Sequence, residues 1–156
     1  MAERKRLAII ASKGTLDMAY PPLNLATAAA AMGWEAGIFF TFYGLDIVNR
    51  KKFRKLKVAP LANPAAPIPV PNIIGVIPGM TAMATWMMKR FMGRQRMPSP
   101  PEMLGLASQL GVRLYACSTT MAVMGVAEAD LLDGVECIGS VGFLDFAAGA
   151  QVTLFV

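Results

Sequence analysis

Residues 112–126, VRLYACSTTMAVMGV, contain the pattern that decides the fold. Residues 112–116 predict a short buried strand, and residues 121–126 predict a helix. Cys117 follows the strand directly, and three hydroxyl residues that suit a helix N-cap come next. These three are Ser118, Thr119 and Thr120. Ligands of open parallel α/β sheets bind at this kind of position, outside the carboxyl ends of the strands.

Cys117 is the candidate reactive residue of this stretch. Free N–H groups and the positive end of the helix dipole favour a negative charge at a helix start. The thiolate carries such a charge, and it is the nucleophilic form of cysteine. The alternative is a buried cysteine that packs as a small hydrophobic residue and has no chemical role.

The composition predicts one domain, over residues 1–156, that associates with other copies. Hydrophobic residues make up 55% of the chain and charged residues only 16%. Such a chain has too few polar side chains to cover a monomer, so apolar surface is expected to be buried in a homo-oligomer. A partner protein or a membrane surface is the alternative.

The net charge of +5 comes largely from two basic blocks, in residues 50–57 and 89–96. Solvated surface loops are the commonest explanation of such blocks. No nucleic-acid-binding module is recognisable, so a nucleic-acid partner is not expected. Peripheral contact with an anionic membrane stays open as an alternative.

The absence of histidine excludes several mechanisms. Ser-His-Asp and Cys-His pairs cannot form within this chain, nor can a zinc site with histidine ligands. Two cysteines alone do not make a zinc site either, so neither a metal nor another cofactor is expected. The low cysteine count argues against a disulfide-rich secreted scaffold, and residues 1–11 do not resemble a signal peptide. We therefore expect a cytoplasmic protein with free thiols.

The first third of the chain predicts a βαβ unit and hence a parallel sheet. Residues 7–11 and 36–42 predict strands. Between them, Asp17 can cap a helix that has Pro21 and Pro22 in its first turn and continues through residues 23–32. The loop at 12–17 lacks a phosphate-binding glycine pattern. It is interpreted instead as a wall of the thiol site, where Lys13 is a candidate cation that activates Cys117.

Residues 58–88 carry no charge, which raises the possibility of a membrane span. The prolines predict a Pro-rich loop or subunit arm at about 58–72 instead, because a continuous helix does not tolerate them. Residues 78–92 predict a helix with a Met-rich face. A core or oligomer face is the favoured role of this helix, with membrane contact as the alternative.

Cys137 is the second candidate site residue. Residues 135–137 predict a brief strand, which follows a predicted helix at 102–110 and the Cys117 segment. If the two cysteine-bearing strands are adjacent, the two thiols could act as attacking and resolving groups. The alternative is that Cys137 only packs. A small-residue segment starts at Gly139, and residues 151–156 predict the last strand.

Several blocks of the sequence resemble the DsrE/DsrF/TusD-like sulfur-carrier family. They are AAAAMG at 28–33, IFFTFYGLDIV at 38–48, MATWMMKRFM at 83–92, LGVRLYACSTTMAVMGV at 110–126, DLLDGVE at 130–136 and VTLFV at 152–156. The cysteine of the family pattern AC-x-x-[ST]-M falls on Cys117. Ser118 stands where that pattern often has a polar amide.

The resemblance implies a flavodoxin-like, three-layer α/β/α fold with a mainly parallel sheet, assembled as an oligomer. It also implies a sulfur carrier that holds sulfur on Cys117 as a persulfide or thiosulfonate. Sulfur-donor and sulfur-acceptor proteins, and small species such as thiosulfate or polysulfide, would be its partners. The relay would serve either sulfur oxidation or thiolation.

Two other functions remain as hypotheses. One is a non-catalytic oligomeric or membrane-surface adaptor that uses the Met-rich helix and the basic blocks. The other is a thiol peroxidase, against which the lack of a Thr-x-x-Cys motif counts.

Overall fold

The computed structural model describes residues 4–59 and 77–156. The five strands are β1 (Arg6–Ala11), β2 (Glu35–Phe40), β3 (Arg113–Cys117), β4 (Val135–Ile138) and β5 (Val152–Phe155). The helices of these residues are α1 (Leu16–Ala31), α2 (Leu45–Val48), α3 (Met80–Arg94), α4 (Pro100–Gln109), α5 (Ser118–Met124) and α6 (Ser140–Ala148). The predicted Pro-rich arm at about 58–72 lies almost entirely outside the described residues.

The five strands form one parallel sheet in the order β4-β3-β2-β1-β5. The central strands are nearly continuous apolar runs, as expected of strands covered on both faces. In β2, for example, every residue from Ala36 to Phe40 is buried. Because the strands are parallel, their carboxyl ends all lie at one edge of the sheet.

Helices cover both faces of this sheet. The larger core packs α1 and α4 against one face, where Leu16, Leu23 and Ala107 are buried. The smaller core, which we call the aromatic cluster, packs α6 against the other face. It consists of Ala8, Phe39, Tyr115, Cys117, Phe143 and Phe146. The predicted flavodoxin-like class, a parallel sheet between two helical layers, is confirmed.

Helix α1 begins at Leu16, just before the predicted cap at Asp17, so the two prolines fall in its second turn and not in its first. Pro21 and Pro22 lie inside the helix, where their missing N–H groups remove two backbone hydrogen bonds. Packing compensates for that loss, because Leu16 and Ala19 are buried before the prolines and Pro22 is buried itself. Tertiary contacts thus extend the helix beyond the boundary that local preference indicates.

Helix α6 occupies the small-residue segment for which no helix was predicted. Its two phenylalanines, Phe143 and Phe146, are three residues apart and point into the aromatic cluster. The ring of Phe143 stacks on that of Phe39 at a centroid distance of 4.6 Å. The predicted Met-rich helix is present as α3. No helix within residues 4–59 and 77–156 is long and apolar enough to cross a bilayer.

Candidate functional site

Cys117 stands at the junction of β3 and α5. It is the last residue of the strand and the N-cap of the helix, with φ −69° and ψ 111°. Its side chain belongs to the aromatic cluster, and only 4% of the residue is exposed. The sulfur therefore has apolar side chains on one side and the first turn of α5 on the other.

Hydrogen bonds lower the pKa of the Cys117 thiol. Burial by itself raises this pKa, but four donors outweigh it. They are the hydroxyl and the backbone N–H of Thr120, the hydroxyl of Thr41 and the backbone N–H of Thr119. Donors that point at a sulfur favour its charged form. The site thus stabilises a thiolate without a histidine base.

The two hydroxyl groups beside the sulfur also contact each other. The Oγ1 atoms of Thr41 and Thr120 are 2.9 Å apart. Each hydroxyl has one hydrogen, so when one of the pair donates to the other, the second hydroxyl keeps its hydrogen for the sulfur. The contact between the two hydroxyls thus holds a donor beside Cys117.

Thr41 was not identified as a site residue from the sequence. It follows β2 directly, and β2 pairs with β3 through Phe40 and Ala116. The available signal was a polar residue within an apolar run at the end of a predicted parallel strand. In a parallel sheet such a residue lies at the same edge as the end of the neighbouring strand.

The predicted substrate-binding residues differ in their relation to Cys117. Thr119 and Thr120 contact Cys117 as described, and Ser118 is the half-buried first residue of α5. Lys13 lies in the loop after β1 and is exposed. The groups that lower the pKa of Cys117 are hydroxyls and amides, and the Lys13 cation is not among them.

Cys137 has different surroundings on the adjacent strand. It pairs with Ala116, whereas Cys117 pairs with Ile138, so the two cysteines are directed to opposite faces of the sheet. Cys137 packs against the larger core, with Sγ 3.6 Å from the Sδ of Met121. Both cysteines are free thiols.

The pKa of Cys137 is raised. Burial is the largest cause, followed by the negative charge of Glu128 and a hydrogen bond from the thiol to the Glu128 carboxylate. A negative charge on Cys117 adds to the effect. Cys137 therefore remains a neutral thiol at pH values where Cys117 ionises. Within the described part of the chain, no three His, Cys, Asp or Glu side chains are grouped to hold a metal ion.

The fold and the site define a class: a parallel α/β protein in which a strand ends at a helix start with a cysteine whose pKa is lowered by neighbouring donors. Comparison with known families agrees with this class. Residues 3–155 match the family model described as "DsrE/DsrF/DrsH-like family". The chain belongs to this family.

Individual relatives extend over the same length. The sulfur carrier protein DsrE2 of Allochromatium vinosum is 41% identical over 160 residues, covering 99% of each chain. The uncharacterized protein YrkE of Bacillus subtilis is 27% identical, covering 99% of this chain and 98% of its own. The crystal structure of the YchN protein from E. coli superposes with a TM-score of 0.58 at 15% identity. It covers 97% of this chain and 99% of YchN, and it supports the fold alone.

Proposed function

We propose that the chain is a cytoplasmic sulfur carrier in which Cys117 holds the transferred sulfur. The observation that carries this proposal is the position of Cys117 between the end of β3 and the start of α5, where the groups of Thr41, Thr119 and Thr120 lower the pKa of its thiol. A thiolate is the form that attacks sulfur, and its abundance near neutral pH sets the rate of exchange. The similarity to a named sulfur carrier protein supports the same activity.

The loading step needs only one nucleophilic sulfur. The Cys117 thiolate attacks the sulfane sulfur of thiosulfate, a new S–S bond forms, the old one breaks and sulfite leaves with the electron pair. With polysulfide the leaving group is a shorter polysulfide, and a persulfide again remains on Cys117. With tetrathionate the leaving group is thiosulfate, and a thiosulfonate remains.

In the unloading step Cys117 is the leaving group instead of the nucleophile. A thiolate of an acceptor protein attacks the outer sulfur, and Cys117 leaves as a thiolate. Thiols of lower pKa are better leaving groups in such exchange. The donors that promote loading therefore also promote transfer to the acceptor. Sulfur-donor and sulfur-acceptor proteins, as well as small sulfur anions, are the partners that this chemistry requires.

Access to the sulfur is restricted, because Cys117 is only 4% exposed. Thr119 is exposed in the adjacent turn, so a small anion approaching from this side would meet Ser118, Thr119 and Thr120 first. A macromolecular acceptor would need α5 to shift before it could reach the sulfur. We expect transfer to a protein to be slower than loading by a small donor.

Cys137 is the second thiol of the proposal, in the role of a resolving group. Its raised pKa and its place on the other face of the sheet work against direct attack on a persulfide at Cys117. Its contribution is therefore expected to be small in the resting conformation. A Cys137→Ser variant that unloads as fast as the unaltered protein would remove Cys137 from the mechanism.

Intact-mass analysis after incubation with polysulfide, thiosulfate or tetrathionate tests the proposal. We expect the matching persulfide or thiosulfonate adduct in the unaltered protein and in Cys137→Ser. The adduct should be absent from Cys117→Ser when circular dichroism shows an unchanged fold. An adduct that persists in Cys117→Ser contradicts the proposal.

Helix α3 supports a second candidate function, that of an adaptor. Of its residues, all of which the structure describes, only Thr85 is buried. Met83, Trp86 and Phe91 are each more than half exposed. A homo-oligomer or an anionic membrane would cover this face. Sedimentation velocity and flotation with anionic vesicles distinguish the two, and binding that is unaffected by Cys117→Ser would favour the adaptor.

A further inference from the structure

A cavity with a cationic lining lies at the carboxyl end of β1, apart from Cys117. Its volume is about 400 Å³, within the usual range of small-molecule sites. The polar lining consists of Thr15, Asp46, Lys51, Lys52, Lys55, Lys57 and Thr81. Four ammonium groups therefore face a single carboxylate around this cavity.

Two of the four lysines already have partners. Lys52 Nζ lies 2.7 Å from an oxygen of Asp46, and Lys51 Nζ lies 2.7 Å from an oxygen of Asp130. Neither Lys55 nor Lys57 forms an ion pair with any residue that the structure describes. The following chain cannot neutralise them, since residues 58–88 contain no charged side chain. Two cations of the lining are thus available to an anion.

The start of α1 adds a second feature to the cavity. The Thr15 hydroxyl oxygen is buried, and it has no hydrogen-bond partner within residues 4–59 and 77–156. Thr15 is the N-cap residue of this 16-residue helix, but its side chain does not cap it. A buried hydroxyl without a partner is costly, and a bound acceptor would remove that cost. Helix N-termini also favour anions.

The backbone holds these groups together. The N–H of Leu16 donates to the carbonyl of Lys57 at 2.8 Å, which ties the lysine-bearing segment to the helix start. On the other side, a Cβ at Gly14 would collide with the carbonyl of Tyr43. The loop at 12–15 is therefore packed closely against the segment that follows Thr41. The three loop segments of the cavity are thus held together by backbone contacts, and Thr81 of α3 completes the lining.

We propose that this cavity binds a small molecule that carries an oxyanion of sulfur or phosphorus. Lys55 and Lys57 provide the charge, and the Thr15 hydroxyl donates or shares a hydrogen bond with the anion. The inference stands apart from the sulfur-carrier proposal, because the residues that line the cavity are not those that change the pKa of Cys117.

Calorimetric titration with thiosulfate and with inorganic phosphate, at an ionic strength held constant with chloride, tests the inference. We expect saturable binding that Lys55→Gln and Lys57→Gln each weaken by about two- to fivefold. Lys89→Gln is the matched control, since it removes an exposed lysine that does not line the cavity. Binding that fails to saturate, or that Lys89→Gln weakens equally, would overturn the inference.

The Thr15→Val variant tests whether the Thr15 hydroxyl binds the anion or only affects the stability of the fold. Replacing an unpaired hydroxyl with a methyl group should raise the melting temperature of the free protein while weakening anion binding. A lower melting temperature with unchanged anion affinity would contradict the assigned role of Thr15. A preference for thiosulfate would identify a sulfur oxyanion as the ligand, and a preference for phosphate would identify a phosphorylated molecule. Cys117→Ser should bind both anions normally, even if sulfur loading fails.

Discussion

Cys117 and Cys137 lie on neighbouring strands, and their surroundings change the pKa of the two thiols in opposite directions. Burial raises the pKa in both cases. At Cys117 the groups of Thr41, Thr119 and Thr120 donate hydrogen bonds to the sulfur and reverse the effect of burial. At Cys137 the Glu128 carboxylate accepts a hydrogen bond from the thiol and adds to it.

Burial acts in the same direction on both sulfurs, so the neighbouring groups set the two thiols apart: hydrogen-bond donors at Cys117 and the negative charge of Glu128 at Cys137. Donors stabilise the thiolate, and an acceptor stabilises the neutral thiol. The difference arises from position, because Cys117 ends its strand at a helix start whereas Cys137 is still within β4. Each of the following predictions changes one side of this contrast.

Replacing the two cysteines in turn should have the largest effect. Cys117→Ser is expected to abolish sulfur loading by polysulfide, because Ser does not form a persulfide. Cys137→Ser should load at nearly the rate of the unaltered protein. Intact-mass time courses measure both rates. Equal losses in the two variants would mean that the thiols act as a pair.

Removing one hydroxyl should have the next largest effect. Thr120→Val is expected to raise the pKa of Cys117 and to slow loading at neutral pH by roughly tenfold, since a hydrogen bond to a charged group is lost. Thr119→Val is the matched control, because Thr119 acts on the sulfur through its backbone N–H. If Thr119→Val slowed loading as much as Thr120→Val, the effect would not belong to the Thr120 hydroxyl.

Neutralising Glu128 should lower the pKa of Cys137, whereas removing the Thr120 hydroxyl should raise that of Cys117. Glu128→Gln is expected to lower the pKa of Cys137 towards the ordinary cysteine value, because the repulsive charge is removed. Ultraviolet titration of the thiolate in a Cys117→Ser background measures this shift. Glu136→Gln serves as the control, since Glu136 precedes Cys137 in β4 but is not a cause of its pKa shift. A pKa that stays raised in Glu128→Gln would assign the shift to burial alone.

The smallest effect should appear in the pH dependence of stability. The folded pKa of Cys117 is lowered, so between this value and the unfolded pKa the unfolded chain binds more protons and stability rises with pH. The folded pKa of Cys137 is raised, so its contribution is lost as pH rises above the unfolded pKa. Urea unfolding at several alkaline pH values measures this dependence. Cys117→Ser should remove the increase in stability with pH, and Cys137→Ser should remove the decrease in stability at higher pH. The same slope in both variants would contradict the assignment.

Local pattern was sufficient to predict much of the fold. Apolar runs identified β1, β2 and β3, and the strand–cysteine–hydroxyl order correctly placed Cys117 between a strand end and a helix start. These features depend on neighbours along the chain. The order of apolar and polar residues along the chain contains this information, so the ends of the strands were predicted to within two residues.

Features that depend on distant contacts were not predicted. Thr41 and Thr120 are 79 positions apart, and only the pairing of β2 with β3 brings them together. Helix α6 is stabilised by burying Phe143 and Phe146, which its small residues do not indicate. The face of the sheet on which the Cys137 side chain lies depends on the register of β4 against β3, and no local pattern specifies that register.

Thiolate absorbance as a function of pH, in two single-cysteine proteins, tests the central contrast most directly. Cys137→Ser reports the ionisation of Cys117, and Cys117→Ser reports that of Cys137. Cys117 is expected to ionise at a pH below the ordinary cysteine range and Cys137 at a pH above it. Equal pKa values, or the reverse order, would rule out the roles assigned to the threonine donors and to Glu128.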